Sequence, residues 1–75
     1  MLLSELKAGD LCTVHQLIGD CSLKQKMMTM GIVPGVEILI QKYAPLGDPL
    51  EIKIKHFNLS LRKREAATIV VQALS

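Results

Sequence analysis

Apolar residues recur along this chain with two different periods, and the change of period divides it into elements. Leu50-Glu51-Ile52-Lys53-Ile54-Lys55 alternates apolar and charged residues without a break, the pattern of a strand with one buried and one solvated face. Leu11 to Ile18 reads the same way, with Cys12 and Val14 inward and Thr13 and His15 outward. Val36 to Tyr43 is rich in β-formers and sets Val36, Ile38 and Ile40 on one face. After a connection at His56-Phe57-Asn58, Leu59 and Leu61 resume the alternation with Ser60 opposite, and Thr68 to Gln72 supplies a last strand. The helical period occurs at Leu23, Met27 and Met30, which fall at i, i+4 and i+7 and predict a helix over Leu23 to Met30. Ser22 with Gln25 three positions on fits a capping box at its start. Gly31 suits a left-handed cap at its end, and Pro34 bars continuation. Leu3 to Leu6 and Arg62 to Ala67 are too short for more than a helical turn each. Gly9-Asp10 and Pro45-Leu46-Gly47-Asp48-Pro49 carry turn chemistry. About five short strands and one helix predict a mainly β fold, a strongly bent small barrel that closes its own sheet edges.

Length and composition constrain this picture. The 75 residues make one domain, 1–75, whose core is marginal for its size. Of these residues 49% are hydrophobic, with one Tyr, one Phe and no Trp, so the core must be assembled from aliphatic side chains. The two cysteines, Cys12 and Cys21, are fewer than a secreted mini-protein of this length usually carries; free thiols and a cytoplasmic location are expected. No apolar stretch approaches the roughly 20 residues of a spanning helix, and residues 1–10 lack the basic start and apolar run of a signal peptide. Direct membrane insertion is therefore not expected. A net charge of +2 is too small to indicate nucleic acid or an anionic membrane by electrostatics alone.

Three ordered motifs carry a resemblance. Met30-Gly31-Ile32-Val33-Pro34-Gly35, then Ala44-Pro45-Leu46-Gly47-Asp48-Pro49, then Leu59-Ser60-Leu61-Arg62-Lys63-Arg64-Glu65-Ala66, together with the opening Leu3-Ser4-Glu5-Leu6-Lys7-Ala8-Gly9-Asp10, resemble the ferrous iron transport protein A (FeoA) family over essentially the whole chain. The resemblance implies an SH3-like barrel with one inserted helix and a short helical turn before the last strand. It also implies cytosolic residence beside FeoB, the membrane protein with a cytosolic GTP-binding domain that carries ferrous iron inward. His56 departs from the family pattern, because many members carry glycine near this position in the tight connection before Phe57. A positive φ costs histidine more than glycine.

The chemistry-bearing residues do not form a catalytic group. The seven carboxylates are scattered over strand faces and turns, and no nucleophile comes with a base and an orienting group. Gly31-x-x-x-Gly35 lacks the Lys-Ser/Thr of a phosphate-binding loop and follows a helix rather than preceding one. No cofactor and no enzymatic activity are expected. Cys12, His15 and Cys21 lack metal-ligand spacing, and Cys12 and His15 should point to opposite strand faces. Cys12 reads as a small core residue, both histidines as solvated, and no metal site is expected. Arg62-Lys63-Arg64 with Lys53 and Lys55 could touch nucleic acid, but Glu51 and Glu65 dilute the cluster and Tyr43 and Phe57 alone could stack on bases. Nucleic acid is not expected.

A docking surface is the better reading. Met28 lies outside the core stripe of the helix and precedes the apolar Ile32-Val33-Pro34 loop. Exposed Met beside an apolar loop suits an adaptable protein contact, with Lys24 and Lys26 as its rim. Lys24, Met28, Ile32, Val33 and Pro34 are thus the expected partner-binding residues, the FeoB-type transporter the expected partner, and self-association through a strand edge a further possibility. A metal-binding regulator and a nucleic-acid-associated module are the alternatives.

Overall fold

The structure, a computed structural model, describes residues 1–74. A short 3-10 turn at Leu3–Glu5 leads into β1 (Leu11–Leu17), α1 (Cys21–Thr29), β2 (Glu37–Tyr43), β3 (Leu50–Ile54), β4 (Phe57–Leu61), the single-turn α2 (Lys63–Ala66) and β5 (Ile69–Leu74). The strands form one antiparallel sheet in the order β4-β3-β2-β1-β5. Register shifts between Val14 and Gln16 in β1 and between Ile40 and Lys42 in β2 bend it, since a bulge sharpens local twist. The inward residues predicted from alternation meet there: Cys12, Ile38, Ile40, Leu50, Ile52 and Ile54 are buried, and Leu3, Met27 and Ile32 close the core.

Four local expectations are revised. The α1 cap is Asp20, whose Oδ1 accepts the Leu23 N–H at 2.8 Å. The carboxylate combines a short acceptor with a charge that suits the helix N-terminus, so it takes the position predicted for Ser22 and the helix starts two residues early. The hairpin connection is shorter than His56-Phe57-Asn58. Phe57 already pairs with Ile54, leaving Lys55-His56 as a two-residue turn. Lys55, with φ 54°, carries the left-handed conformation in place of His56. The last strand starts at Ile69, because Thr68 closes α2 by donating its hydroxyl and its N–H to the Glu65 carbonyl.

The fourth revision concerns the edges. β4 and β5 do not pair with each other among the described residues. The outer side of β5 is covered by the start of the chain, through a bridge of Leu2 to Val70 and a bond from the Val71 N–H to the Met1 carbonyl at 2.8 Å. Among the described residues no strand lies beside the outer side of β4.

Candidate docking surface

The exit of α1 is built around Gly31. Its φ of +92° is a conformation that a side chain disfavours. It lets the Gly31 N–H reach the Met28 carbonyl and the Ile32 N–H reach the Met27 carbonyl, both at 3.0 Å. This pair of bonds is a Schellman motif, in which the residue after the glycine packs against the helix turn behind it. Ile32 is accordingly 0% exposed and joins Met27 in the core. The expectation that Ile32 lies on the docking surface is therefore corrected: it holds the loop down from beneath. Beyond it the loop is tied to β1, since Val14 exchanges bonds with Val36 at 2.9 Å and Gly35 at 2.8 Å.

The other expected residues are at the surface. Met28 is 49% and Val33 39% exposed, and Pro34 and Lys24 are exposed beside them. Lys26 has a different task from the predicted rim. Its Nζ lies 2.6 Å from Oε2 of Glu65, whose side chain is 12% exposed. The other Glu65 oxygen, Oε1, accepts the Arg62 N–H at 2.9 Å. The bond from Lys26, then that from the Arg62 backbone, hold the Glu65 carboxyl below its ordinary range against the opposing effect of burial. In the sequence Glu65 only dilutes a basic cluster; in the fold it is the clamp between α1 and α2. Asp20, Ser22, Leu23, Lys26, Arg64 and Glu65 line an open groove of about 440 Å³ over that clamp. On the far side of α2, Asp48 Oδ1 accepts the Lys63 N–H at 2.8 Å and ties down the β2–β3 loop.

Phe57 was also missed. At the start of β4 it is 44% exposed, and its Cζ lies 3.3 Å from where a Cβ on Gly31 would stand. The ring thus lies against the α1 exit at Gly31 and brings that exit beside the β4 edge. The pairing of Phe57 with Ile54 was the missing signal: a connection residue read as a strand residue falls in register with Leu59 and Leu61.

The candidate metal ligands do not converge. Cys12 is buried, and its Sγ faces the Ile38 carbonyl at 3.6 Å. Burial pushes its thiol up to about 11, with smaller effects from that hydrogen bond and from Asp10, so at neutral pH the free chain holds it as the neutral thiol. His15 and His56 are exposed, and so is the free Cys21. Among the described residues no three His, Cys, Asp or Glu side chains are grouped to hold an ion. No described helix is long and apolar enough to cross a membrane.

Comparison with known proteins places this geometry. A family model described as the FeoA domain matches residues 1–73. The chain is 37% identical over 75 residues to a Porphyromonas gingivalis protein named as a fusion of Fe(2+) transport protein A and the Fe(2+) transporter FeoB; that match covers 100% of this chain and 9% of the fusion. The fold matches the solution structure of a FeoA-like protein from Clostridium acetobutylicum with a TM-score of 0.94 at 37% identity, covering 100% of this chain and 87% of that one. It also matches the crystal structure of Stenotrophomonas maltophilia FeoA complexed with zinc, described as a prokaryotic SH3 domain protein, with a TM-score of 0.83 at 26% identity over 96% and 89% of the two chains. The expected SH3-like fold is thereby confirmed.

Proposed function

We propose a function from one premise: this chain belongs to the FeoA family, a family of ferrous iron transport. The chain acts as a cytoplasmic accessory module that docks onto the cytosolic GTP-binding part of a FeoB-type transporter. The observation that carries this reading is the P. gingivalis fusion, in which a segment 37% identical to the whole chain is covalently joined to a FeoB transporter. A covalent joint holds a module at roughly millimolar effective concentration beside its target, which is useful when the task is a contact with that target. The residues support a contact over a reaction. Lys24, Met28, Val33 and Pro34 offer a small apolar surface with a cation at its border, and Ile32 braces it from the core. Any effect on transport then arises from unequal affinity for the transporter's states.

The test is a titration of this chain against the GTP-binding domain and against the full-length transporter, each without nucleotide, with GDP and with a non-hydrolysable GTP analogue. Binding should differ between states and weaken with Met28→Ala. Absence of binding in every state, to both targets, would overturn the proposal.

A metal-binding reading draws on the zinc complex of the S. maltophilia relative. In this chain His15, His56 and Cys21 are the accessible His and Cys donors. Anaerobic calorimetry with ferrous iron decides it. Stoichiometric heat lost in His15→Ala or Cys21→Ser supports a site, and a flat titration removes it.

A further inference from the structure

The free edge of β4 differs from an ordinary edge strand in three ways that together describe an occupant. The first is its backbone. Ile54 and Phe57 flank a two-residue turn, so they form the hydrogen-bonded pair of the hairpin. Alternation then makes Ile52–Leu59 and Leu50–Leu61 the other bonded pairs, and turns the N–H and C=O of Asn58 and Ser60 outward. Neither of these N–H groups donates to another described segment outside the sheet. The second is its inner face. Leu61 is fully buried, Leu59 is half-buried and Phe57 is 44% exposed. This apolar stripe therefore opens progressively toward the end where Phe57 meets Gly31. The third is charge. β4 itself, Phe57 to Leu61, carries none, while Lys55 precedes it and Arg62, Lys63 and Arg64 follow it, all exposed.

We propose that the β4 edge accepts, as an added strand, an extended segment of a partner polypeptide that is apolar at alternate positions and acidic at both ends. The added backbone pairs with Asn58 and Ser60. Its apolar side chains fall on the side of Phe57 and Leu59, toward the α1 exit at Gly31, while its flanks meet Lys55 and the Arg62–Arg64 cations. Strand addition of this kind takes affinity from main-chain bonds and specificity from alternate side chains. The charges argue against a second copy as occupant. Antiparallel self-pairing centred on Leu59 would set Phe57 against Leu61 and carry Lys55 of each copy toward Lys63 of the other, and like charges directly opposed across strands are destabilising. This inference deepens the docking reading by naming the kind of segment recognised, and it is tested without the transporter, so each can fail alone.

The probe is a blocked nine-residue peptide with valine and threonine alternating at its five central positions and two glutamates at each end. Titrated into the isotopically labelled chain, it should shift the amide resonances of Asn58 and Ser60 and the side-chain signals of Phe57 and Met28. The same peptide ending in lysines should bind about fivefold or more weakly. Ser60→Pro removes an outward N–H that the hairpin ladder does not use and should abolish the shifts while the rest of the spectrum is retained. Should that variant fail to fold, Lys63→Glu, a surface change, should narrow the preference for the acidic peptide. The proposal is overturned if millimolar acidic-ended peptide leaves the β4 amides unmoved, if both peptides bind equally, or if the chain dimerises through β4 and excludes the peptide.

Discussion

β5 and β4 are the two edges of one sheet, and the start of the chain lies along the first of them. On β5 the Met1 carbonyl takes the Val71 N–H, Leu2 bridges Val70, and Glu5 Oε1 fixes the Leu2 N–H at 2.6 Å. On β4 no strand is added among the described residues, and the strand carries a half-exposed Phe57, with cations set outside it at both ends. An edge is usually blunted by a charge placed within it or by covering it. Here one edge is covered, and the other has its charges displaced to the flanks. That displacement opposes pairing of copies without blocking a strand of opposite charge. The comparison separates protection from availability, and substitutions on each side can break it.

The largest expected effect comes from the residue that positions the α1 exit beside β4. Ile32→Ala empties a fully buried site next to Met27 and should cost about 2–4 kcal/mol in chemical denaturation. The neighbouring Val33→Ala, at a surface site, should cost less than about 1 kcal/mol. Equal costs would mean that the loop is not braced through Ile32.

Next is the clamp at the other end of β4. Glu65→Gln keeps an acceptor for the Arg62 N–H but loses the charge that holds Lys26, and should cost about 1–2 kcal/mol at neutral pH. The sign of the pH dependence follows from the lowered carboxyl pKa. The folded state holds the charged form more firmly than the unfolded chain, whose ordinary value is 4.5. The clamp is then fully present above that value and is lost as pH falls through the lower folded value. The stabilities of wild type and Glu65→Gln should converge as pH falls below the ordinary carboxyl range and through the lowered folded value, and a constant difference would place the cost elsewhere.

The covered edge should respond more mildly. Glu5→Ala frees the Leu2 N–H at an exposed position and should cost about 1 kcal/mol or less. Hydrogen exchange is the sharper readout: the Val71 amide should lose protection, while Asn58 and Ser60, already facing solvent at the other edge, should not change. If all three change together, the two edges are not independent.

Much of this contrast lies in the sequence, and the parts that do not are informative. The strict alternation of Leu50 to Ile54 and the i, i+4, i+7 stripe of α1 predicted their faces correctly, because each is decided by neighbours along the chain. Ile32 was legible in principle. A glycine cap at Gly31 makes the next residue the one that folds back onto the helix, but an apolar Ile-Val-Pro run reads as surface when it is taken as a unit. Phe57 depended on the length of a turn, and a turn residue with φ of 54° at Lys55 is not announced by its identity. Glu65 and Lys26 stand 39 positions apart, and nothing local pairs them. The covered β5 edge needed the 3D path of residues 1–2.

The smallest stability effect is the most telling for function. Met28 is half exposed and contributes its backbone carbonyl, not its side chain, to the Schellman motif. Met28→Ala should therefore shift unfolding by no more than about 0.5 kcal/mol, with alanine's higher helix propensity offsetting lost contacts. The same substitution should weaken binding to the transporter and to the acidic-ended peptide, since its exposed side chain stands at the α1 exit, where Phe57 meets Gly31. A large loss of stability would return Met28 to the core. Unchanged stability with unchanged binding to both would move the contact off the α1 exit and onto the β4 edge alone. Stability retained with both affinities reduced would join the two sites into one surface, with a flexible methionine side chain adapting to the strand that β4 receives.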